Sequence, residues 1–128
     1  MPSPAPALLQ LRRQVDERWP NRSRASDGIM GDPAHQKRKS DHNLGNALDL
    51  THSPATGFDV GRLAENLRRQ MQSYPAGRLT YIIHNRQIAS PRTAWRWSPY
   101  TGPNPHVSHA HFSIKAAERA NTRPWTLD

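Results

Sequence analysis

The sequence predicts an α+β domain in which a small, mostly antiparallel sheet is backed by helices. Three observations point there. Two segments place apolar residues at helical spacing, three short segments are β-branched, aromatic or alternating, and turn-forming clusters separate them. The 128-residue length fits one domain spanning residues 1–128. Only 34% of the residues are apolar, against a norm of about 45–50% with glycine counted. The core must therefore be small, and loops must take much of the chain.

Each element has a local reason. Leu8, Leu11, Val15 and Trp19 recur at three-to-four spacing, which predicts a helix over about 6–19 closed by Pro20. Residues 20–46 hold turn chemistry at Asp27-Gly28, Gly31-Asp32-Pro33 and Asn43-Leu44-Gly45. A connection this long in a compact domain tends to be functional. Ala47–Thr51 reads as a short strand. Asp59 is placed to cap a helix over about 60–72, with Val60, Leu63, Leu67 and Met71 on one face. Leu79–His84 is a strand, Asn85-Arg86 a turn, and Gln87–Ala89 the return of a hairpin. Residues 90–107 form a second long loop carrying Trp95, Trp97 and Tyr100. His109–Lys115 alternates with period two and is the last strand; a polar tail follows from about 116.

Composition excludes several functions. With no cysteine there is no disulfide scaffold, no Cys-ligated zinc and no cysteine nucleophile. No apolar run approaches the roughly 20 residues that cross a bilayer, and the first ten residues lack the pattern of a secretory signal. The expectation is a protein made in the cytoplasm without a signal peptide. Eighteen Lys and Arg against ten Asp and Glu give a net charge of +8. The excess is spread along the chain, with no basic tail, and favours any polyanion. Nucleic acid is not the expected partner: a metal-dependent nuclease would want more acidic ligands beside the histidines, and no stacking platform with interleaved basic residues appears.

Four ionisable residues stand out, His42, Asp49, His109 and His111. Residues two apart on a strand share a face and sit roughly 6.5 Å apart. His109 and His111 therefore look to one side, while Ala110 and Phe112 look to the core. Two imidazoles beside a carboxylate on a neighbouring strand suit Zn²⁺. Three protein ligands and an open fourth position would be the catalytic pattern. The plain alternative is a pair of surface histidines.

A second pattern weighs against that alternative. Residues 40–49 fit Ser-x-His-x-x-Gly-x-Ala-x-Asp through Ser40, His42, Gly45, Ala47 and Asp49. With His109-Ala110-His111 downstream, the chain resembles the zinc peptidases that unite lysostaphin-type enzymes, D-Ala-D-Ala peptidases and the Hedgehog signalling domain. It is most similar to the branch of D-Ala-D-Ala carboxypeptidases and phage L-alanyl-D-glutamate endolysins. The resemblance covers about residues 22–115 and implies a Hedgehog/DD-peptidase-like fold. It implies His42, Asp49 and His111 as ligands of one zinc per chain, Gly45 as a tight turn, and Ala47 as a small residue beneath the site. His109 would face the substrate and help stabilise the oxyanion.

The sequence departs from that family at one position. The related peptidases usually carry Glu or Asp three residues before the last ligand, as general base; here that residue is Ser108. His109 or His106 would have to serve, since an imidazole titrates near the working pH. Related enzymes also hold a substrate carboxylate with an upstream arginine, which makes Arg22, Arg24 and Arg38 candidates. Trp97 and Tyr100, with Trp95, are candidates for a groove beside the metal; for the two tryptophans partial core packing is the alternative. His35 and His52 flank the motif as supporting groups or plain surface residues, and His84 ends a strand in a structural role.

The resemblance implies a monomeric zinc peptidase cleaving peptidoglycan stem peptides or cross-links. In a phage or prophage context, such a protein would reach the wall with the help of a membrane-permeabilising partner. The competing expectation is a zinc domain of the same fold that binds wall fragments or a protein partner without catalysis.

Overall fold

A computed structural model of the chain describes residues 3–29, 44–74, 77–102 and 106–128. Their elements, in order, are α1 (Pro6–Arg18), β1 (Ala47–Thr51), α2 (Val60–Ser73), β2 (Leu79–His84), β3 (Gln87–Ala89), β4 (Ser98–Pro99) and β5 (His109–Ile114). Single 3₁₀ turns at Pro54–Thr56, Pro91–Thr93 and Ala116–Glu118 join them. The architecture is α+β. One five-stranded sheet, ordered β1-β5-β2-β3-β4 and antiparallel at every pairing, packs against two helices.

Helix α1 opens on Pro6, whose missing N–H costs nothing in the first turn. It buries Ala7, Leu8, Leu11 and Val15. In α2 the Asp59 side chain accepts the Arg62 N–H, and Val60, Leu63, Ala64, Leu67 and Met71 form the buried stripe. The sheet answers with Leu48, Leu50, Ile82, Ala110, Phe112 and Ile114, all in one core with both helices. A bulge in β2 keeps that pattern intact. The pairing register shifts between Leu79 and Tyr81, so Thr80 is the extra residue. The shift returns Leu79 to the core while Tyr81 stays on the opposite face.

Three expectations need correction. The alternative of a pair of surface histidines does not hold, since all six residues of β5 are buried, with His109 9% and His111 5% exposed. Strand β5 lies between β1 and β2, and covering its second face makes it a two-sided interior strand. The second long loop is not structureless, because Ser98–Pro99 pairs with β3 as β4. The tail after Ala116 is polar in composition but anchored. Trp125 is buried, its Nε1 donates to the Ala7 carbonyl, and its backbone exchanges hydrogen bonds with the Gln14 side chain. The Arg78 guanidinium stacks on the Trp125 ring at 3.8 Å.

Candidate metal centre

The site grows from one strand pair. Asp49 lies directly opposite His111, and Thr51 opposite His109. Asp49 spends both backbone groups on the outer side: its N–H donates to the Gly28 carbonyl at 2.8 Å and its carbonyl accepts from Gly28 at 3.2 Å. Toward β5 the Asp49–His111 pair is therefore not hydrogen-bonded through the backbone. Side chains approach most closely at such pairs. His111 Nδ1 accordingly lies 3.2 Å from Asp49 Oδ1, and His109 Nε2 lies 3.8 Å from Asp49 Oδ2.

A third imidazole arrives from the loop before β5. His106 is buried, with φ at +56°, a left-handed conformation that non-glycine residues rarely adopt. Its carbonyl accepts the Asn85 N–H at 2.9 Å, which ties the loop to the β2–β3 turn. This bend sets the His106 ring edge-on to His109 at 4.7 Å and to His111 at 5.3 Å. Donor atoms of Asp49, His106 and His109 all lie within 4.8 Å of one another. One carboxylate and several imidazoles in a buried cluster form a donor set that fits a borderline divalent ion such as Zn²⁺. Two ligands of one tetrahedral zinc, each about 2.0–2.1 Å from it, stand roughly 3.3 Å apart. The Asp49–His111 separation matches that value, and equally that of a direct hydrogen bond between the two side chains.

Neighbouring groups orient the rings. His111 Nε2 lies 2.8 Å from Ser113 Oγ, and the Tyr81 ring stacks parallel to His111 at 5.3 Å. Second partners of this kind fix the tautomer and tilt of a metal-binding histidine. His109 Nδ1 lies 3.3 Å from Ser108 Oγ. His84 Nδ1 meets the His109 carbonyl at 3.2 Å. His52 accepts the Val60 N–H at the start of α2, and its own N–H donates to the Ser108 carbonyl. Both histidines thus brace the entry to β5 from the helix side.

The structure sorts the residues singled out in the sequence. Asp49, His106, His109 and His111 come together, and Tyr100 joins them with its ring 6.0 Å from His106. Gly45 has φ +72°, and a Cβ there would run into the Ser3 carbonyl. Ala47 is fully buried opposite Ser113. Arg22 is placed elsewhere. Its guanidinium is buried between Asp27, at 2.6 Å, and Asp16, at 2.7 Å. Arg24 leans on the same Asp16 at 3.3 Å. Both arginines tie the segment after α1 to that helix rather than face the histidines. Trp97 also turns away, donating from Nε1 to Glu65 on α2. His35, Arg38, Ser40 and His42 lie outside the described residues. Ser113 and Tyr81 are contributors that the sequence reading missed. Ser113 follows from alternation, two residues beyond His111; Tyr81 follows only once the register of β2 against β5 is known.

Asp27 carries further structural weight, because its Oδ1 accepts both the N–H and the hydroxyl of Thr51. Burial is the largest single influence on its carboxyl and pushes it up. Hydrogen bonds from Arg22 and Thr51, with the Arg22 charge, outweigh burial and hold Asp27 below its ordinary value.

No curated protein and no solved structure matches the chain. A family model described as "VldE, C-terminal domain" matches residues 2–112. With the match running from ahead of α1 into β5, the chain belongs to the VldE C-terminal domain family.

Proposed function

We propose that the chain is a zinc-dependent peptidase that cleaves peptidoglycan stem peptides or cross-links. The observation that carries the reading is the cluster in which the half-buried Asp49 meets three buried imidazoles, with His111 at a ligand-to-ligand distance and His109 and His106 closing the other side. The resemblance through Ser40, His42, Gly45, Ala47 and Asp49 supports it, and implies His42 as a further ligand beside Asp49 and His111. The net charge of +8 suits an anionic wall.

Bound zinc would polarise the scissile carbonyl and lower the pKa of a water to about 7. The chain supplies the remainder. Asp49 and His111 would hold the ion, with the Ser113 hydroxyl and the Tyr81 ring fixing the imidazole. His109 Nε2 takes the proton of the attacking water as the new C–O bond forms. It returns that proton to the amine as the C–N bond breaks. An imidazole can do both near neutral pH. His106 and Tyr100 line the same side, placed to contact the substrate.

One observation favours a second reading, a zinc domain that binds without cleaving. Ser108 stands where the resembling peptidases keep a carboxylate, and the glutamates lie elsewhere. Glu65 is held by Arg68 and Trp97, Glu118 by Asn121, and Glu17 is exposed on α1. The His109→Ala variant separates the readings. Losing a positioned acid–base group costs about 10²–10⁴-fold, so stem-peptide turnover should fall by that factor with zinc still bound. Turnover at the wild-type rate in both His109→Ala and His106→Ala would remove these residues from the chemistry. A zinc-loaded wild type that binds walls and cleaves nothing would establish the non-catalytic reading.

A further inference from the structure

Tyr81 has a second environment. Besides stacking on His111, it lines a neighbouring cavity of about 620 Å³, within the roughly 300–1,000 Å³ common for ligand sites. Ile88, Pro91 and Ile114 give it apolar walls, Asn46 adds a polar edge, and Arg92 is the one charged group among its described lining residues. Arg92 belongs to the 3₁₀ turn after β3, which is closed by a reciprocal Ser90–Thr93 capping box. Its N–H donates to Ser90 Oγ, and its guanidinium makes no ion pair with a described residue. Among the described residues, none that lines the cavity is acidic.

We propose that this cavity is the subsite for a substrate side chain made of an aliphatic stem ending in a carboxylate. Among wall stem peptides that chemistry is found in diaminopimelate, whose distal carbon carries a carboxylate beside its ammonium; lysine's stem ends in an ammonium alone. The assignment rests on the peptidase reading above. The apolar walls accept methylene groups and would be left wet by a methyl side chain. A carboxylate entering such a cavity needs a cation and hydrogen-bond donors, and the exposed Arg92 at its border has the planar fork to supply both. A lysine stem would bring a lone ammonium to that same positive charge, with no acidic partner among the described lining residues, whereas the diaminopimelate terminus is net neutral and offers its carboxylate. Because Tyr81 borders both the cavity and His111, a peptide lying across the histidine cluster brings an adjacent residue to the opening.

The test uses two synthetic tetrapeptides, L-Ala-γ-D-Glu-X-D-Ala with X either meso-diaminopimelate or L-lysine. Binding to the zinc-loaded protein is measured by calorimetry, and cleavage is followed in parallel. The diaminopimelate peptide should bind about fivefold to tenfold more tightly. Arg92→Gln should erase the preference, and Ile88→Asp should weaken the diaminopimelate peptide most. Equal binding of the two peptides, no binding of either, or a preference that survives Arg92→Gln would overturn the subsite. Binding preference without cleavage would support the subsite and sink the peptidase reading. Cleavage of both peptides with equal KM would keep the peptidase reading and sink the subsite.

Discussion

Each histidine of the cluster has a different set of neighbours, and this divides their expected effects. His111 has Asp49 at one ring nitrogen and Ser113 at the other. His109 has Asp49 and Ser108, and His106 meets both rings edge-on from a strained loop position. Asp49→Ala and His111→Ala are therefore expected to lose tight zinc binding. His109→Ala should keep about one zinc per chain, and His106→Ala should weaken binding less than His111→Ala. Elemental analysis of the metal-replete variants checks the order. Full zinc retention in His111→Ala with loss in His106→Ala would move the ligand set to Asp49, His106 and His109. Much of this cluster was legible in the sequence, because period-two alternation puts His109 and His111 on one face and the Asp49 motif marks a partner strand. The burial of that face was not legible. It depends on β5 being paired on both sides and on His106 folding back, and alternation records neither. Arg22 illustrates the opposite failure. As a residue type it suits a substrate carboxylate, and only its neighbours Asp16 and Asp27 reveal a buried structural ion pair.

Among the elements, the β1 edge connects folding to the site. Its outer side is closed by Gly28 and by the Asp27 carboxylate, which accepts the Thr51 N–H and is itself held by Arg22. Gly28 anchors Asp49 itself and Asp27 anchors Thr51 two residues on, so the segment after α1 fixes the backbone that presents Asp49. A carboxyl held below its ordinary value stabilises the fold above its unfolded pKa, about 3.9. That contribution is lost as pH falls through the lower folded value. Stability should therefore drop below about pH 4. Asp27→Asn should cost about 3 kcal/mol at pH 7, because it leaves a buried arginine with one partner fewer. It should also flatten the acid limb. Denaturant midpoints at pH 7 and pH 3 test this, and an unchanged difference between the two pH values would contradict it. The helices, β1, β2 and β5 were readable from apolar periodicity. Strand β4 was not, because two residues carry no period, and Trp125 in a polar tail gave no sign that it belongs to the core. Its place depends on α1, which supplies the Ala7 carbonyl and the Gln14 side chain.

At the scale of the whole molecule, charge and site complement each other. A net charge of +8 attracts an anionic polymer without reading its sequence or structure, whereas the buried cluster can act only on a segment that reaches it. Exposed charges are screened beyond about 8 Å at physiological ionic strength. Affinity for purified walls should thus fall as salt rises, while zinc content stays constant. Pull-down with insoluble walls across a salt series tests this, and flat binding would assign wall attachment to something other than charge. Whether a zinc centre here hydrolyses wall peptides is decided by mass spectrometry of muropeptides digested with the zinc-loaded protein, with a chelated sample alongside. The zinc-loaded sample should yield products one water heavier in total, with a new amine and a new carboxyl at a stem-peptide or cross-link bond, and chelation should abolish them. Unchanged muropeptides in both samples would contradict it.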